Sequence, residues 1–302
     1  MTEQQTETVV SPAARSLGLL GAVNARDLGG YPTADGRVLR SGAALRSDGL
    51  NRLTGEDLGL LAALGLRQVV DLRSLEEVRE AGPDRVPGLP VAAIAVSEGP
   101  ATAITVERAE PDGMTLHHLP LFAVDFDIYA TLREALADRS AEKQRALLGD
   151  GRAGAMMTGL YRWFVTDRIA RERFAAVLRL LAAPGGAPMI FHCSAGKDRT
   201  GWTAAVLLTA LGVDRETVYA DYLLTNERAA AVVDAVVENF RARGLMSEPE
   251  LLLPIFRAER DYLDAAFEEV EAGWSGFEAF WTDGLGLDDE VLAGLRANLL
   301  EP

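Results

Sequence analysis

A short apolar strand that leads through a tight turn into a buried helix constrains the fold of this chain more than any other feature. The strand is predicted over residues 189–191, which are apolar and directly precede the turn. Past the turn, residues 202–209 predict a helix that is apolar on most of its sides, which is typical of a helix covered by other elements. Both elements are therefore expected in the middle of a packed domain.

Two helices in the first third of the chain have capping-box sequences. Thr54 is followed three residues later by Asp57, and Ser74 by Glu77, so each pair can satisfy the first backbone N–H groups of a helix. Residues 67–72, between the two helices, predict a buried strand. The alternation of strand and helix favours an α/β sheet.

The remaining elements are expected to extend this sheet and to cover it. Strands are predicted over residues 90–96 and 116–122, and the charged, turn-rich residues 99–114 between them are interpreted as an inserted flap. Helix is predicted over residues 130–183. After Asp214, a predicted N-cap, the chain is expected to be helical to its end.

The length and the composition suit one domain. The 302 residues are 48% hydrophobic, enough for a packed core, and we expect a single domain over residues 16–302 after a flexible tail of residues 1–15. The apolar stretches are too short to cross a bilayer and the first residues do not resemble a secretory signal, so we predict no stable membrane insertion and a cytoplasmic location. The oligomeric state is left open.

The charge is unevenly distributed along the chain. There are 30 basic and 45 acidic residues, a net charge of −15, which disfavours sequence-independent binding to nucleic acid. Residues 248–302 carry −11 of this charge, and the rest of the chain is nearly balanced.

The turn after the first-named strand has the sequence HCSAGKDRTG, residues 192–201, and contains the one cysteine of the chain, Cys193. A lone cysteine excludes internal disulfides and multi-thiolate metal sites. Five residues separate Cys193 from Arg199. This spacing can form a cradle for a tetrahedral dianion, made of a strand end, a glycine-containing turn and a helix start. The predicted phosphate-binding residues are Ser194, Ala195, Gly196, Lys197, Asp198 and Arg199.

This arrangement predicts covalent chemistry on a phosphate monoester. The positive field of the loop favours the thiolate of Cys193, which would attack phosphorus and form a phosphocysteine, while the guanidinium of Arg199 matches two phosphate oxygens. The leaving oxygen needs a proton from a carboxylic acid. Asp198 is the first choice for this acid, and Asp125 or Asp127 are the alternatives.

Other residues are expected to support the loop. The hydroxyl of Thr200 is placed to hydrogen-bond the sulfur of Cys193, and His192 is expected to orient the loop. Four charged residues are expected either to line the pocket or to form a structural ion pair between the sheet and the N-terminal segment: Arg26, Asp27, Asp71 and Arg73.

Four motifs in this order resemble one known family. The loop HCSAGKDRTG is similar to the active-site loop of the bacterial tyrosine-phosphatase-like proteins called atypical lipid and protein phosphatases. The runs NARDLGG at residues 24–30, RS at residues 40–41 and DLRS at residues 71–74, with Glu77, match further landmarks of that family. The resemblance covers residues 23–299.

The resemblance implies a dual-specificity-phosphatase-like α/β fold, with a central sheet flanked by helices, a helical lid within residues 130–183 and C-terminal helical additions. It implies hydrolysis of phosphotyrosine, with phosphoserine, phosphothreonine or phosphoinositides possible in some members, and no metal or other cofactor. It makes Cys193 the nucleophile, Arg199 the phosphate clamp, Asp198 the acid and Lys197 a phosphate or inositol-phosphate contact. The expected partner is a phosphorylated protein, a lipid or a small-molecule phosphate ester.

Three other functions are weighed against this one. A small-molecule phosphatase for a nucleotide, sugar or inositol phosphate would use the same loop and differ in its pocket walls. A non-catalytic phosphate-binding module would have no need of a nucleophile, which disfavours it. The sequence around Asp125 resembles the aspartyl-phosphate loop of magnesium-dependent phosphatases, but Tyr129 stands where threonine or valine is usual.

Overall fold

A six-stranded mixed sheet forms the centre of the computed structural model, which describes residues 15–88, 104–106, 114–121, 128–137 and 139–302. The strands are ordered β1-β2-β6-β3-β5-β4; the four central strands are parallel, and β1 and β4 are antiparallel edges. Their ranges are β1 (Arg26–Asp27), β2 (Ala44–Ser47), β3 (Gln68–Asp71), β4 (Ile104–Val106), β5 (Thr115–His118) and β6 (Met189–His192). The predicted α/β fold is confirmed.

The central strand β6 lies between β2 and β3, and all four of its residues are buried. Its last residue, His192, is in register with Ser47 at the end of β2 and with Asp71 at the end of β3. Because parallel strands end at the same edge of a sheet, the residues that follow these three strands converge there.

The sheet is covered on both faces, and its side chains alternate between two apolar clusters. On one face, Leu45, Val69 and Ile190 pack in a cluster with residues of the N-terminal segment. On the other face, Val70 and Phe191 belong to the larger cluster formed with the helices of the second half of the chain. This double coverage explains why consecutive residues such as Val69 and Val70, or Ile190 and Phe191, are both apolar.

Two helices follow β2 and β3, namely α1 (Gly55–Ala63) and α2 (Leu75–Ala81). Both predicted capping boxes are formed. The side chain of Thr54 accepts from the Asp57 backbone and that of Ser74 from the Glu77 backbone, and each carboxylate accepts from its N-cap N–H in return. The carboxylate of Glu77 is thereby fixed at the start of α2.

Four helices confirm the helical prediction for residues 130–183, with breaks between them before α4 at its N-cap Ser140, at residues 149–151 and at Asp167. On the last of these helices Phe174, Val177, Leu178 and Leu181 follow the spacing of one helix face, and all four are buried. The helices are α3 (Ile128–Ala137), α4 (Ala141–Leu148), α5 (Arg152–Thr166) and α6 (Arg168–Ala182).

The helix predicted after the turn is the most buried helix of the fold. It is α7 (Asp198–Ala210), and Trp202 on it packs edge-on against Phe267 at 5.3 Å between ring centroids. Asp214 caps the next helix as predicted, by accepting from the Thr217 N–H. The C-terminal helices are α8 (Arg215–Ala242), α9 (Leu253–Phe256), α10 (Arg260–Trp274), α11 (Phe277–Ala279) and α12 (Asp289–Leu299).

Several expectations concern residues that the structure does not describe. The strand predicted over residues 90–96 and most of the flap over residues 99–114 lie outside the described residues, although residues 104–106 form β4 and pair with β5. Of the predicted tail only Arg15 is described; it is buried, with its guanidinium 3.6 Å from the centroid of the Tyr31 ring. Within the described ranges, no helix is both long enough and apolar enough to cross a membrane.

Candidate active site

The loop of residues 193–197 joins β6 to α7 at the carboxyl edge of the sheet. Cys193 is a free cysteine whose residue is only 2% exposed. Gly196 has a φ of 67°, and a Cβ placed on it would lie 2.5 Å from the backbone oxygen of Ser47. Glycine is therefore required here both by its backbone conformation and by the close approach of β2, as the sequence indicated.

The loop carbonyl groups are bound by donors from outside the loop. Asn24 Nδ2 donates to the carbonyl of Ala195 at 2.9 Å, and Arg46 Nη2 donates to that of Gly196 at 2.8 Å. Across the described part of the chain, the backbone N–H groups of residues 194–197 make no hydrogen bond of their own. These N–H groups are available to bind an anion, as the start of α7 is.

One buried ion network ties the loop to the N-terminal strands. Arg26 Nε lies 3.1 Å from Asp221 Oδ1, and Arg46 pairs with the other carboxylate oxygen of Asp221. Burial opposes ionisation of Asp221, but the two guanidinium groups outweigh it and lower the pKa of that carboxyl to about 2. Arg26 is thus a structural residue, because it is fully buried and does not line the cavity at the loop.

A second buried network lies behind the nucleophile. Arg73 donates to Asp71 Oδ2 at 2.8 Å and to Asp84 Oδ1 at 2.7 Å, and His192 Nε2 is 2.7 Å from Asp84 Oδ2. The other ring nitrogen of His192 faces the carbonyl of Cys193 at 3.2 Å. Asp71 and Arg73 therefore form an ion pair at the end of β3, and this pair does not join the sheet to the N-terminal segment. The contact between His192 and the Cys193 carbonyl agrees with a loop-orienting role, which stays a prediction.

The charge state of His192 follows from its partners. Burial alone would lower its pKa, but the carboxylates of Asp84 and Asp71 outweigh burial and raise it to about 9. An imidazolium can donate from both ring nitrogens, which matches the acceptors that face them. The three side chains of Asp71, Asp84 and His192 are close enough to hold a metal ion, but Arg73 already bridges both carboxylates.

Asp27 organises the turns beside β1. Its Oδ1 accepts from the Gly29 N–H at 2.8 Å and its Oδ2 from the Gly42 N–H at 2.6 Å. Burial raises the pKa of Asp27. Asp27 does not line the cavity at the loop, and the partners described for it are backbone N–H groups rather than the ion pair that was the other expectation.

The guanidinium of Arg199 is held by Glu77, for which the sequence predicted a role in capping α2 but no contact with Arg199. Both terminal nitrogens of Arg199 donate to Glu77, at 2.6 Å each. Glu77 also accepts from the Ser194 hydroxyl at 2.6 Å. Burial opposes ionisation of Glu77, but Arg199 outweighs it and holds the pKa of Glu77 far below its ordinary value. Glu77 thus connects the cap of α2, the loop and the arginine.

Lys197 has other partners than the predicted phosphate. Its buried ammonium donates to the carbonyl groups of Ile255 and Arg257, the latter at 3.1 Å, and lies 3.4 Å from Asp198 Oδ1. Burial lowers the pKa of Lys197. In this structure the lysine anchors the loop to α9, and a phosphate contact would require it to leave these carbonyl groups.

Asp198 and Thr200 differ in how well they match their predicted roles. Asp198 lines the cavity and accepts from the Tyr161 hydroxyl at 3.0 Å. The Thr200 hydroxyl is buried and, among the described residues, has no hydrogen-bond partner. The hydrogen bond predicted between Thr200 and the sulfur of Cys193 is therefore not formed. Asp125 and Asp127 lie outside the described residues.

A cavity of about 330 Å³ opens over the loop. Its floor holds Ser194, Ala195, Arg199 and Glu77, and two residues not predicted from the sequence, Asp48 and Arg52, also line it. Apolar side chains of four helices and the segment after β5 form most of its walls: Leu121, Leu132, Leu160, Phe164, Ala229, Val232, Val233, Val236, Ile255 and Phe256. The only signal for Asp48 was its place directly after a strand.

Comparison with known proteins gives a consistent result. Residues 17–301 match the tyrosine phosphatase family. The triple specificity protein phosphatase PtpB of Mycobacterium tuberculosis is 30% identical in an alignment that covers 93% of this chain and 98% of PtpB. H16_A0669 of Cupriavidus necator, which carries the name of a tyrosine-protein phosphatase, is 32% identical over 90% of this chain and 84% of its own length.

The matched region contains the loop, both ion networks and all the residues that line the cavity. These findings confirm the resemblance drawn from the four motifs and the predicted class of activity, phosphoric monoester hydrolysis of the tyrosine phosphatase type. The chain belongs to the tyrosine phosphatase family.

Proposed function

We propose that the enzyme hydrolyses phosphotyrosine by a metal-independent mechanism in which Cys193 is the nucleophile and a phosphocysteine is the intermediate. One observation carries this proposal: the cysteine directly follows the central strand, and the loop that it begins lies at a cavity whose floor contains Ser194, Ala195, the start of α7 and Arg199. Such a floor supplies the positive charge that a phosphate dianion needs.

Two displacements at phosphorus complete the reaction. The thiolate of Cys193 attacks phosphorus in line with the ester oxygen, the S–P bond forms as the P–O bond breaks, and the leaving oxygen takes a proton from a carboxylic acid. Water then attacks the phosphocysteine, the acid residue takes back a proton, and inorganic phosphate and thiolate are released. The developing charge on the phosphoryl oxygens is stabilised by the N–H groups of residues 194–197 and by Arg199.

Arg199 is oriented before the substrate binds. Its two hydrogen bonds to Glu77 fix the plane of the guanidinium, and this fixed fork is the geometry that binds two phosphate oxygens at once. Glu77 therefore acts as a positioning residue in the proposal. It reduces the entropy that is lost when the phosphate is clamped.

The apolar walls support an aromatic substrate. An aryl ring above the phosphate would lie against side chains such as Leu160, Phe164 and Val236. The name of PtpB as a triple specificity protein phosphatase supports a range of substrates wider than phosphotyrosine. Phosphoserine, phosphothreonine and phosphoinositides are the further substrates that the family resemblance implies. A small-molecule phosphate ester remains the alternative substrate class.

The test combines one substitution with two additions. Cys193→Ser should abolish turnover of an aryl phosphate and leave the binding of a phosphate analogue intact, whereas retained turnover would refute the mechanism. Activity should persist with a chelator and be blocked by vanadate. A strict requirement for magnesium would instead support the Asp125 alternative. If the natural protein binds the phosphate analogue but does not turn over the aryl phosphate, the result would favour a binding module.

The cytoplasmic location stays a prediction.

A further inference from the structure

We propose that Asp48 is the general acid that protonates the leaving oxygen, an assignment that rests on the proposed function. Asp48 directly follows β2, and Cys193 directly follows β6. These strands are parallel neighbours with Ser47 in register with His192, so Asp48 and Cys193 are adjacent across the sheet edge. The backbone confirms this proximity, because the N–H of Gly49 donates to the carbonyl of Ser194 at 3.1 Å.

The side chain of Asp48 faces the cavity from a nearly closed environment. The residue is 6% exposed and lines the same cavity as Ser194 and Arg199. The hydrogen bonds from the Asn24 N–H at 3.0 Å and from the Ser47 hydroxyl at 3.3 Å both end at Oδ1. Oδ2 accepts neither of these two bonds, and the proposal places the acidic proton on it.

The charge balance around Asp48 favours its acid form. Burial raises the pKa of Asp48, and this effect exceeds the opposing effects of its hydrogen bonds and of Arg52. A carboxylic acid that keeps its proton closer to neutral pH is better suited to donate it to an ester oxygen. This electrostatic effect supports the role that the geometry assigns.

Asp198 has the opposite surroundings, although it lines the same cavity. It accepts a hydrogen bond from the Tyr161 hydroxyl at 3.0 Å, lies 3.4 Å from the ammonium of Lys197 and is the first residue of α7. The carboxylate of Asp198 is thus already engaged by the Tyr161 hydroxyl and the Lys197 ammonium. These contacts assign Asp198 to holding the loop against its neighbours, and they leave Asp48 as the candidate for the proton donor.

The proposed step balances with water as the second reactant. As the S–P bond to Cys193 forms and the ester P–O bond breaks, the proton on Asp48 passes to the departing oxygen. The carboxylate of Asp48 then takes a proton from the water that attacks the phosphocysteine. Release of phosphate restores the thiolate of Cys193 and the acid form of Asp48.

The experiment compares two substrates in two matched variants, Asp48→Asn and Asp198→Asn. Phosphotyrosine has a poor leaving group that needs a proton, and 2,4-dinitrophenyl phosphate has a good one that does not. For Asp48→Asn we expect kcat/KM to fall roughly 100-fold or more on phosphotyrosine and only a few-fold on the dinitrophenyl ester. For Asp198→Asn any loss should be equal on the two substrates.

A second measurement separates catalysis from folding. Vanadate affinity is measured for both variants, and if Asp48→Asn does not bind vanadate, Asp48→Ser replaces it, because its hydroxyl can still accept from the Asn24 N–H. An equal loss on both substrates with normal vanadate binding, or a substrate-dependent loss in Asp198→Asn alone, would overturn the assignment. Such results would leave the Cys193 mechanism intact, since that mechanism is tested separately, by the loss of turnover in Cys193→Ser.

Discussion

The floor and the walls of the cavity differ in polarity. The floor includes the charged side chains of Arg199 and Glu77, and beneath the loop further charged residues are almost completely buried, namely Arg46, Asp221, Arg73 and His192. The walls are apolar and partly open, and Val232 on α8 is 41% exposed. Buried charges are costly unless each one is paired, so the floor tolerates few changes. The difference indicates that the floor fixes the reaction, whereas the walls select the group that carries the phosphate.

The largest expected effect comes from removing one charge beneath the floor. Asp221→Asn leaves Arg26 and Arg46 buried without their shared carboxylate and should lower the free energy of unfolding by about 3–5 kcal/mol. Urea unfolding measures this loss. Asp35→Asn is the matched control, because it breaks the exposed pair with Arg37 and should leave the free energy of unfolding unchanged.

Asp221 also makes the free energy of unfolding depend on pH in the acid range. The pKa of Asp221 is about 2 in the folded chain, below the ordinary value of 3.8, so its stabilising contribution is complete above about pH 4 and is lost as pH falls toward 2. In Asp221→Asn this part of the pH dependence should disappear.

His192 makes the free energy of unfolding depend on pH in the alkaline range. Its pKa of about 9 lies above the ordinary 6.5, so its contribution is complete below pH 6.5 and is lost as pH rises through 9, by about 3 kcal/mol in all. Unfolding curves measured between about pH 6 and about pH 9.5 should show this decline for the natural protein, and those of His192→Gln should not. His117→Gln should keep it, because burial lowers the pKa of His117 instead. A decline that persists in His192→Gln would contradict the charged state assigned to His192.

A smaller effect is expected where the floor meets the substrate. Glu77→Gln keeps the size of the side chain but weakens its two hydrogen bonds to Arg199, and a misplaced clamp should lower kcat about 100-fold. Glu76→Gln, on the adjacent exposed position of α2, should leave kcat unchanged. Steady-state kinetics with phosphotyrosine distinguish the two. Equal kcat values in the two variants would show that Arg199 needs no positioning by Glu77.

The smallest effect is expected on the walls. Val236→Thr replaces one apolar methyl group that faces the cavity, which should raise KM for phosphotyrosine about 4-fold with little change in kcat. Val237→Thr, one position along α8 and not part of the cavity wall, is the matched control and should leave KM unchanged. A fall in kcat in Val236→Thr would mean that the wall also takes part in the chemistry.

Local chemistry was predictable from the sequence because it depends on local spacing. The interval between Cys193 and Arg199, the glycine at position 196 and the capping boxes at Thr54 and Ser74 each involve residues within one turn or loop. Short-range geometry dictates such features, and the structure contains all of them. The helices were predicted for the same reason, from periodicity and caps.

Long-range partners were not predictable in this way. Asp221 meets Arg26 across 195 positions of sequence, and Glu77 meets Arg199 across 122. Asp48 was missed because its proximity to Cys193 depends on β2 lying beside β6, a strand order that no local pattern determines. The Thr200 prediction was wrong for a related reason, since the direction of a buried hydroxyl depends on how α7 packs.

The most direct test of the Cys193 mechanism is to trap the phosphoenzyme. The natural enzyme is mixed with 2,4-dinitrophenyl phosphate, quenched in acid within the first turnovers and digested for mass spectrometry. We predict a phosphoryl group on the peptide that contains Cys193, and none on that peptide in Cys193→Ser. A phosphoryl group on an aspartate instead, or turnover of Cys193→Ser at the natural rate, would contradict the mechanism.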